Sequence, residues 1–336
     1  MVSAVIFVAT SCVSPLTGFA FWETNLAYEG ESIYNYLQVK NLSDRTILST
    51  NVLFGVQSVT MKDKGLTGMY YDTALAAPAL ADNANSALIL GMGTGTYARQ
   101  LKQYYPKMNI TGVEIDQKIT DLAGEYFDEP ADIPVTTYDG RAWLAASHDK
   151  YDVIMVDAYQ DITIPFQMSS TEFFTMVREH LNPGGVMVVN MNMNMISDGQ
   201  GSINEALSDT IASVFGNGNT LTADVPNTTN RELFAKKPGS GSEENSMQQA
   251  SKALNLRETT YERTGSEDLE WYMEEVASRF RKVNEPDSAS TILTDDKAPV
   301  EVLGMHAIDQ IIADEAGPYR QILKDEGFGG LLRAVQ

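Results

Sequence analysis

The sequence predicts an α/β protein built on a mostly parallel sheet with helices on both faces. Three observations carry that expectation. Short apolar runs alternate with helix-length segments from Ser86 to Asn190, the pattern of repeated strand–helix–strand units. The first run ends in the glycine-rich turn Gly91-Met-Gly-Thr-Gly-Thr96. Two later runs end in acids, Glu114 and Asp157, where ligands of open α/β sheets bind.

The elements follow in order. Met1 to Trp22 carries no charge. A membrane anchor, an export signal and a buried strand all remain open for it. An export signal normally begins with a basic stretch, which is missing here. Ser, Thr, Pro and Gly residues dilute its apolarity against a spanning helix. Cys12 after Ala9-Thr-Ser11 resembles a lipid-attachment site only in outline.

Residues 23–65 read as a small β domain. Tyr34 to Lys40 and Arg45 to Ser49 flank a turn at Asn41-Leu-Ser-Asp44, and Val52 to Met61 forms a third run. Residues 66–302 read as the main domain. Its expected strands are Ser86–Leu90, Asn109–Glu114, Val135–Tyr138, Tyr151–Val156 and Gly185–Asn190. Helices are expected over Thr96–Tyr105 and Gln117–Tyr126.

Ser169-Ser-Thr-Glu172 has the form of a capping box that opens a further helix. That helix should stop near Leu181-Asn-Pro-Gly-Gly185. Thr220–Val225 and Asn230–Ala235 suit a closing hairpin at the sheet edge. Residues 237–248 read as a flexible connection. Asp268–Phe280 looks helical, and residues 303–336 are expected to form a helical tail.

Apolar residues make up 43% of the 336 positions, enough for a sizeable core. The formal charge is 24 − 45 = −21. Such a chain repels nucleic acid and anionic membrane surfaces, and suits cationic ligands such as amines and sulfoniums. The single cysteine excludes an intrachain disulfide, and the three histidines lack the spacing of a metal site.

The glycine turn lets backbone approach a ligand closely. Glu114 then stands where an acid accepts both ribose hydroxyls. A dinucleotide turn needs glycine where Thr96 stands, so a nucleoside fits better than a pyrophosphate. Asp139-Gly140 follows the third strand. It is either a turn or an acceptor for an adenine amino group. Asp157 can orient a nucleophile or take its proton.

These pieces resemble the spermidine synthase (polyamine aminopropyltransferase) family, especially its domains fused to transmembrane bundles. The resemblance covers roughly residues 30–302. It rests on Glu31-Ser32, Gly55-Val-Gln57, Tyr70-Tyr-Asp72, Gly91-Met-Gly-Thr-Gly95, Gly112-Val-Glu-Ile-Asp116, Asp139-Gly-Arg141, Asp157-Ala-Tyr-Gln-Asp161 and Leu293-Thr-Asp-Asp-Lys-Ala-Pro-Val-Glu301.

It implies a class I S-adenosylmethionine-dependent transferase fold, Rossmann-like, with a seven-stranded sheet behind the small β domain. Gln57, Gly91, Gly93, Gly95, Glu114, Asp139 and Gly140 would hold the cofactor. Tyr70, Asp72, Tyr159 and Gln160 would face the substrate, and Asp157 would be catalytic. The implied activity is aminopropyl transfer to a small cationic amine, in polyamine biosynthesis. The cofactor would be decarboxylated S-adenosylmethionine or S-adenosylmethionine, without metal. A homodimer is expected, cytoplasmic or membrane-associated through residues 1–22.

Two positions depart from the family pattern. Thr94 stands where the glycine loop carries an aspartate for the cofactor's amino group. Gln160 stands where a second aspartate helps hold the diamine, with Asp161 one residue later. Each lost carboxylate–ammonium bond weakens binding by about 1.5–3 kcal/mol. Thr294-Asp295-Asp296 either returns charge to the pocket or caps a local turn. Methyl transfer to a small molecule and non-catalytic nucleoside binding therefore remain as alternatives.

Overall fold

In the computed structural model, the described residues are 23–51, 56–63, 65–158, 164–191, 202–239, 246–305 and 324. Residues 1–22, Tyr159, Gln160 and most of the 303–336 tail lie outside them, so the expectations there find no structural counterpart.

Two sheets organise the chain. The first is an antiparallel meander of β1 (Leu26–Glu31), β2 (Tyr36–Asn41), β3 (Arg45–Thr50) and β4 (Ser58–Met61). Strand β1 has no counterpart in the sequence reading, because Leu26-Ala-Tyr-Glu-Gly-Glu31 lacks a buried side and every residue stays partly exposed. Leu37, Val39 and Leu48 of this sheet pack on Ile119, Leu122 and Phe127.

Next come two short helices, α1 (Tyr70–Ala74) and α2 (Ala76–Leu80), both fully buried. The strand–helix alternation follows: β5 (Ser86–Leu90), α3 (Thr96–Tyr104), β6 (Asn109–Glu114), α4 (Gln117–Tyr126), β7 (Val135–Thr137), α5 (Gly140–Ala146), β8 (Tyr151–Val156), α6 (Thr171–His180), β9 (Leu181–Met191) and α7 (Ile203–Phe215). Strands β10 (Thr220–Asp224) and β11 (Arg231–Lys236) come next. Helices α8 (Ser246–Ala250), α9 (Ala253–Thr264) and α10 (Glu267–Arg279) then lead to β12 (Phe280–Lys282).

The second sheet has eight strands in the order β12-β10-β11-β9-β8-β5-β6-β7. Strands β9, β8, β5, β6 and β7 run parallel, while β11, β10 and β12 are antiparallel. The expected count of seven misses β12. The β10–β11 hairpin is accordingly not the edge, since Leu221, Thr222 and Ala223 pair with residues 280–282.

Alternation along the strands divides the core. Ile89, Met155, Val188 and Phe234 enter one apolar cluster, while Leu88, Leu90, Ile154, Met187 and Leu233 enter the other. Each such side chain contributes about 1.5–3 kcal/mol when fully buried. Strands buried on both faces therefore read as unbroken apolar runs.

Three further expectations are corrected. Helix α6 is capped by Ser170, whose hydroxyl accepts from Phe173 N; Glu172 turns instead to Thr171 Oγ1 and Asp295 N, so the capping box does not form. Strand β9 starts at Leu181 and absorbs the Pro-Gly-Gly stretch through a register shift against β8. The stretch 237–248 ends in helix α8, where Met247 is fully buried. Among the described residues, no helix is long and apolar enough to cross a membrane.

Candidate active site

The parallel strands are ordered so that the connections leaving β5 and β8 run in opposite directions, which opens a crevice at their carboxyl ends. Gly91 sits in that crevice with φ of 89°. A Cβ there would lie 2.3 Å from the carbonyl oxygen of Asp157. Glycine is thus required for the two strand ends to meet.

Above them opens a cavity of about 310 Å³, a volume suited to a small molecule. Its floor comes from Gly91, Met92, Gly93 and Gly140, and its acids are Glu114, Asp139 and Asp157. The small sheet adds Leu48, Thr50, Gln57 and Ser58, with Tyr34 and Asn35 from nearby loops. Tyr70 and Tyr71 of α1 form one wall, their ring centroids 4.0 Å apart. Pro165, Gln167 and Met168 close the opposite side.

Two contacts seat the small sheet at this site. Ser32 Oγ donates to Asp116 Oδ2 at 2.5 Å, and Thr96 Oγ1 donates to the Val59 carbonyl at 2.8 Å.

Asp157 is held from both sides. Tyr70 donates its hydroxyl to Oδ2 at 2.6 Å, and Asn190 Nδ2 donates to Oδ1 at 2.9 Å. Asn190 Oδ1 in turn accepts from Asn230 Nδ2 at 2.8 Å. Burial pushes the Asp157 carboxyl up to about 7, with the Glu114 charge adding to the rise. The two hydrogen bonds pull the other way. A carboxyl so poised exchanges protons near neutral pH.

Glu114 accepts from Gly93 N at 2.8 Å and from Asp116 N at 3.0 Å, one bond to each oxygen. Burial raises its proton affinity and these backbone donors lower it. Each oxygen keeps acceptor capacity for a further donor from the cavity.

Most of the candidates from the sequence meet here: Gln57, Tyr70, Gly91, Gly93, Glu114, Asp139, Gly140 and Asp157 all line the cavity. Asp139 does so as the N-cap of α5, its Oδ1 accepting from Ala142 N at 2.7 Å.

Asp72 does not line it. Buried, it accepts from Thr67 N, Thr67 Oγ1, Gly68 N and Gln100 Nε2, and so braces the entry to α1. Gly95 is likewise off the cavity wall. It begins α3 at φ of 77° beside Glu129, whose carboxyl burial pushes up to about 7. Thr94 is buried beneath the turn.

Asp295 is not a cavity acid either. Arg141 holds it in a bidentate pair at 2.7 and 2.6 Å, and Ser170 Oγ donates to it at 2.5 Å. The same guanidinium donates to the Gln167 carbonyl at 2.7 Å, fixing the segment that closes the cavity.

Sequence reasoning missed Asn190, Tyr71 and Ser58. Asn190 had a readable signal, a lone amide ending the apolar run of β9. Tyr71 hid beside Tyr70 because α1 and α2 are buried on every side and leave no exposed face for a periodicity to show.

Comparisons with known proteins give the family and the fold. Residues 69–235 match the spermine/spermidine synthase domain. The chain is 99% identical over its 336 residues to a probable polyamine aminopropyl transferase of Bifidobacterium longum, covering all of this chain and 75% of that one. It is 37% identical over 131 residues to a polyamine aminopropyltransferase of Corynebacterium efficiens, which covers 35% of this chain and 25% of the relative.

Two solved structures share the fold. A probable spermidine synthase from Corynebacterium glutamicum superposes with a TM-score of 0.56 at 21% identity, over 80% of this chain and 99% of that one. A spermidine synthase in complex with the transition-state analogue AdoDATO gives 0.53 at 18% identity, over 64% and 75%.

Proposed function

The chain belongs to the spermidine/spermine synthase family of polyamine aminopropyltransferases, and from that premise we propose that it moves an aminopropyl group from decarboxylated S-adenosylmethionine to a diamine at the β5–β8 crevice. The observation that carries this reading is Asp157: a cavity-facing carboxyl, poised near neutrality and oriented by Tyr70 and Asn190.

The residues present fit the nucleoside. Glu114 offers unspent acceptor capacity to both ribose hydroxyls. Asp139 stands on the cavity wall for the adenine amino group, while Gln57, Gly91, Gly93 and Gly140 shape the surface against it. The bound sulfonium supplies an electrophilic methylene. The chain's own part is to align and deprotonate the attacking amine.

An ammonium has no lone pair and must lose a proton before it attacks carbon. Ionised Asp157 accepts that proton at Oδ1 or Oδ2, and its two donors keep the carboxylate aimed. The two tyrosine rings, tilted 36° to each other, favour a cation beside them. The buried Thr94 cannot anchor the cofactor's amino group from the cavity wall, so that anchor falls to another acceptor.

A donor–acceptor assay tests the proposal. Calorimetry should show tighter binding of decarboxylated S-adenosylmethionine than of the carboxylated form. Turnover with putrescine should release methylthioadenosine. Preference for the carboxylated donor, with S-adenosylhomocysteine as product, would overturn the proposal in favour of methyl transfer.

A further inference from the structure

Glu232 on β11 is unused by the chemistry above, and its surroundings do not account for it. Its side chain is fully buried, and neither carboxyl oxygen meets a hydrogen-bond donor. A buried acid left in that state costs stability and calls for an explanation.

Register places it. Glu232 pairs directly with Asn190 across β11 and β9, and Val189 pairs with Val156 of β8. Met155 and Val188 enter the same apolar cluster as Phe234. By the two-residue alternation of strands, Asp157, Asn190 and Glu232 therefore form a transverse row on that one face. Asn190 is the middle member and already binds Asp157. Two strand spacings separate the end members, about 10 Å.

The titratable groups facing Glu232 are Asp157 from the end of β8, Tyr71 from α1 and Tyr97 from α3. On its other flank it pairs with Ala223 of β10, which brings no charge. Burial, and after it the Asp157 charge, push the proton affinity of the Glu232 carboxyl well above the usual carboxylate range. Tyr71 lines the cavity, which puts Glu232 directly behind the cavity's aromatic wall.

We infer that Glu232, buried without a donor in the row that ends at Asp157, is the counter-charge for the second ammonium of a diamine and so selects diamines over monoamines. Resting on the transfer chemistry proposed above, it is a positioning residue that never touches the substrate. It acts through a wall of low dielectric, where salt screens little.

Glu232→Gln in the full chain tests it, with 1,4-diaminobutane and n-butylamine as acceptors. Protons released on diamine binding are counted by calorimetry in two buffers of different ionisation enthalpy. The parent should prefer the diamine, and the variant should lose about tenfold of that preference, in KM rather than kcat, the size of one charge interaction at this range. It should also release fewer protons per diamine bound, by up to about half a proton for a tenfold coupling, with Glu232→Asp restoring part of both. A purely structural role would alter both amines alike. An unchanged preference and proton count in Glu232→Gln overturns the inference while leaving aminopropyl transfer standing. No turnover of either amine by the parent overturns both.

Discussion

Asp157 sets the chemistry through its proton affinity. Its carboxyl titrates near 7 and must be ionised to accept the amine's proton, so turnover should rise as pH passes upward through that value. Tyr70→Phe removes a bond that holds the affinity down. The acid limb of the pH–rate profile should therefore move to higher pH in that variant. Asp157→Asn should lose about 10²–10⁴-fold in kcat, the usual worth of a general base, while still binding methylthioadenosine. Gly91 is constrained by space rather than charge. Gly91→Ala drives a methyl into the Asp157 carbonyl from a left-handed backbone. It should cost about 1–3 kcal/mol in thermal unfolding and displace Asp157, abolishing turnover. Both residues were legible beforehand, because a strand-end acid and a glycine turn announce themselves in one dimension. Asp72 was misread for the opposite reason: Tyr70 and Tyr71 enter the cavity, but two helical steps from Tyr70, about 200°, turn Asp72 toward Gln100 and the Thr67–Gly68 loop.

Elements were most legible where burial on both faces leaves a mostly apolar run, as in β5 and β8, whose bounds match the sequence reading, as do those of β6. Helix α4 was equally plain, with Asp116 as its cap. The elements missed are those defined by a partner rather than by a pattern of their own. Strand β1 is defined by pairing with β2, β12 by pairing with β10, and α2 by packing under α9. The Arg141–Asp295 pair shows the same limit, since it joins α5 to a turn more than 150 residues later. It ties that turn to the Gln167 carbonyl on the cavity wall. Both side chains are partly exposed, so Arg141→Ala should cost only about 0.2–1 kcal/mol of stability. Its larger effect should be a several-fold rise in KM, and a double-mutant cycle with Asp295→Ala should show the two losses to be shared rather than additive.

At the scale of the whole molecule, the buried acid of β11 links stability to pH. The folded chain holds Glu232 protonated above its ordinary value. The unfolded chain releases that proton near the usual carboxyl range. Stability is then lost as pH rises above that range, by about 1.4 kcal/mol per unit until the folded group also ionises. Glu232→Gln removes this drain, so its melting temperature should exceed the parent's by a margin that widens as pH rises above the ordinary carboxyl range. The eight-stranded sheet carries a different consequence. Strand β10 keeps one side open until Phe280–Lys282 arrives to cover it. During synthesis, every chain shorter than that point presents a bare row of backbone donors and acceptors, a template for sticking to its siblings on the same messenger. The cover is three residues long and bears Arg281 and Lys282, a short, charged selvedge that finishes the weave and offers no thread for another strand to pick up.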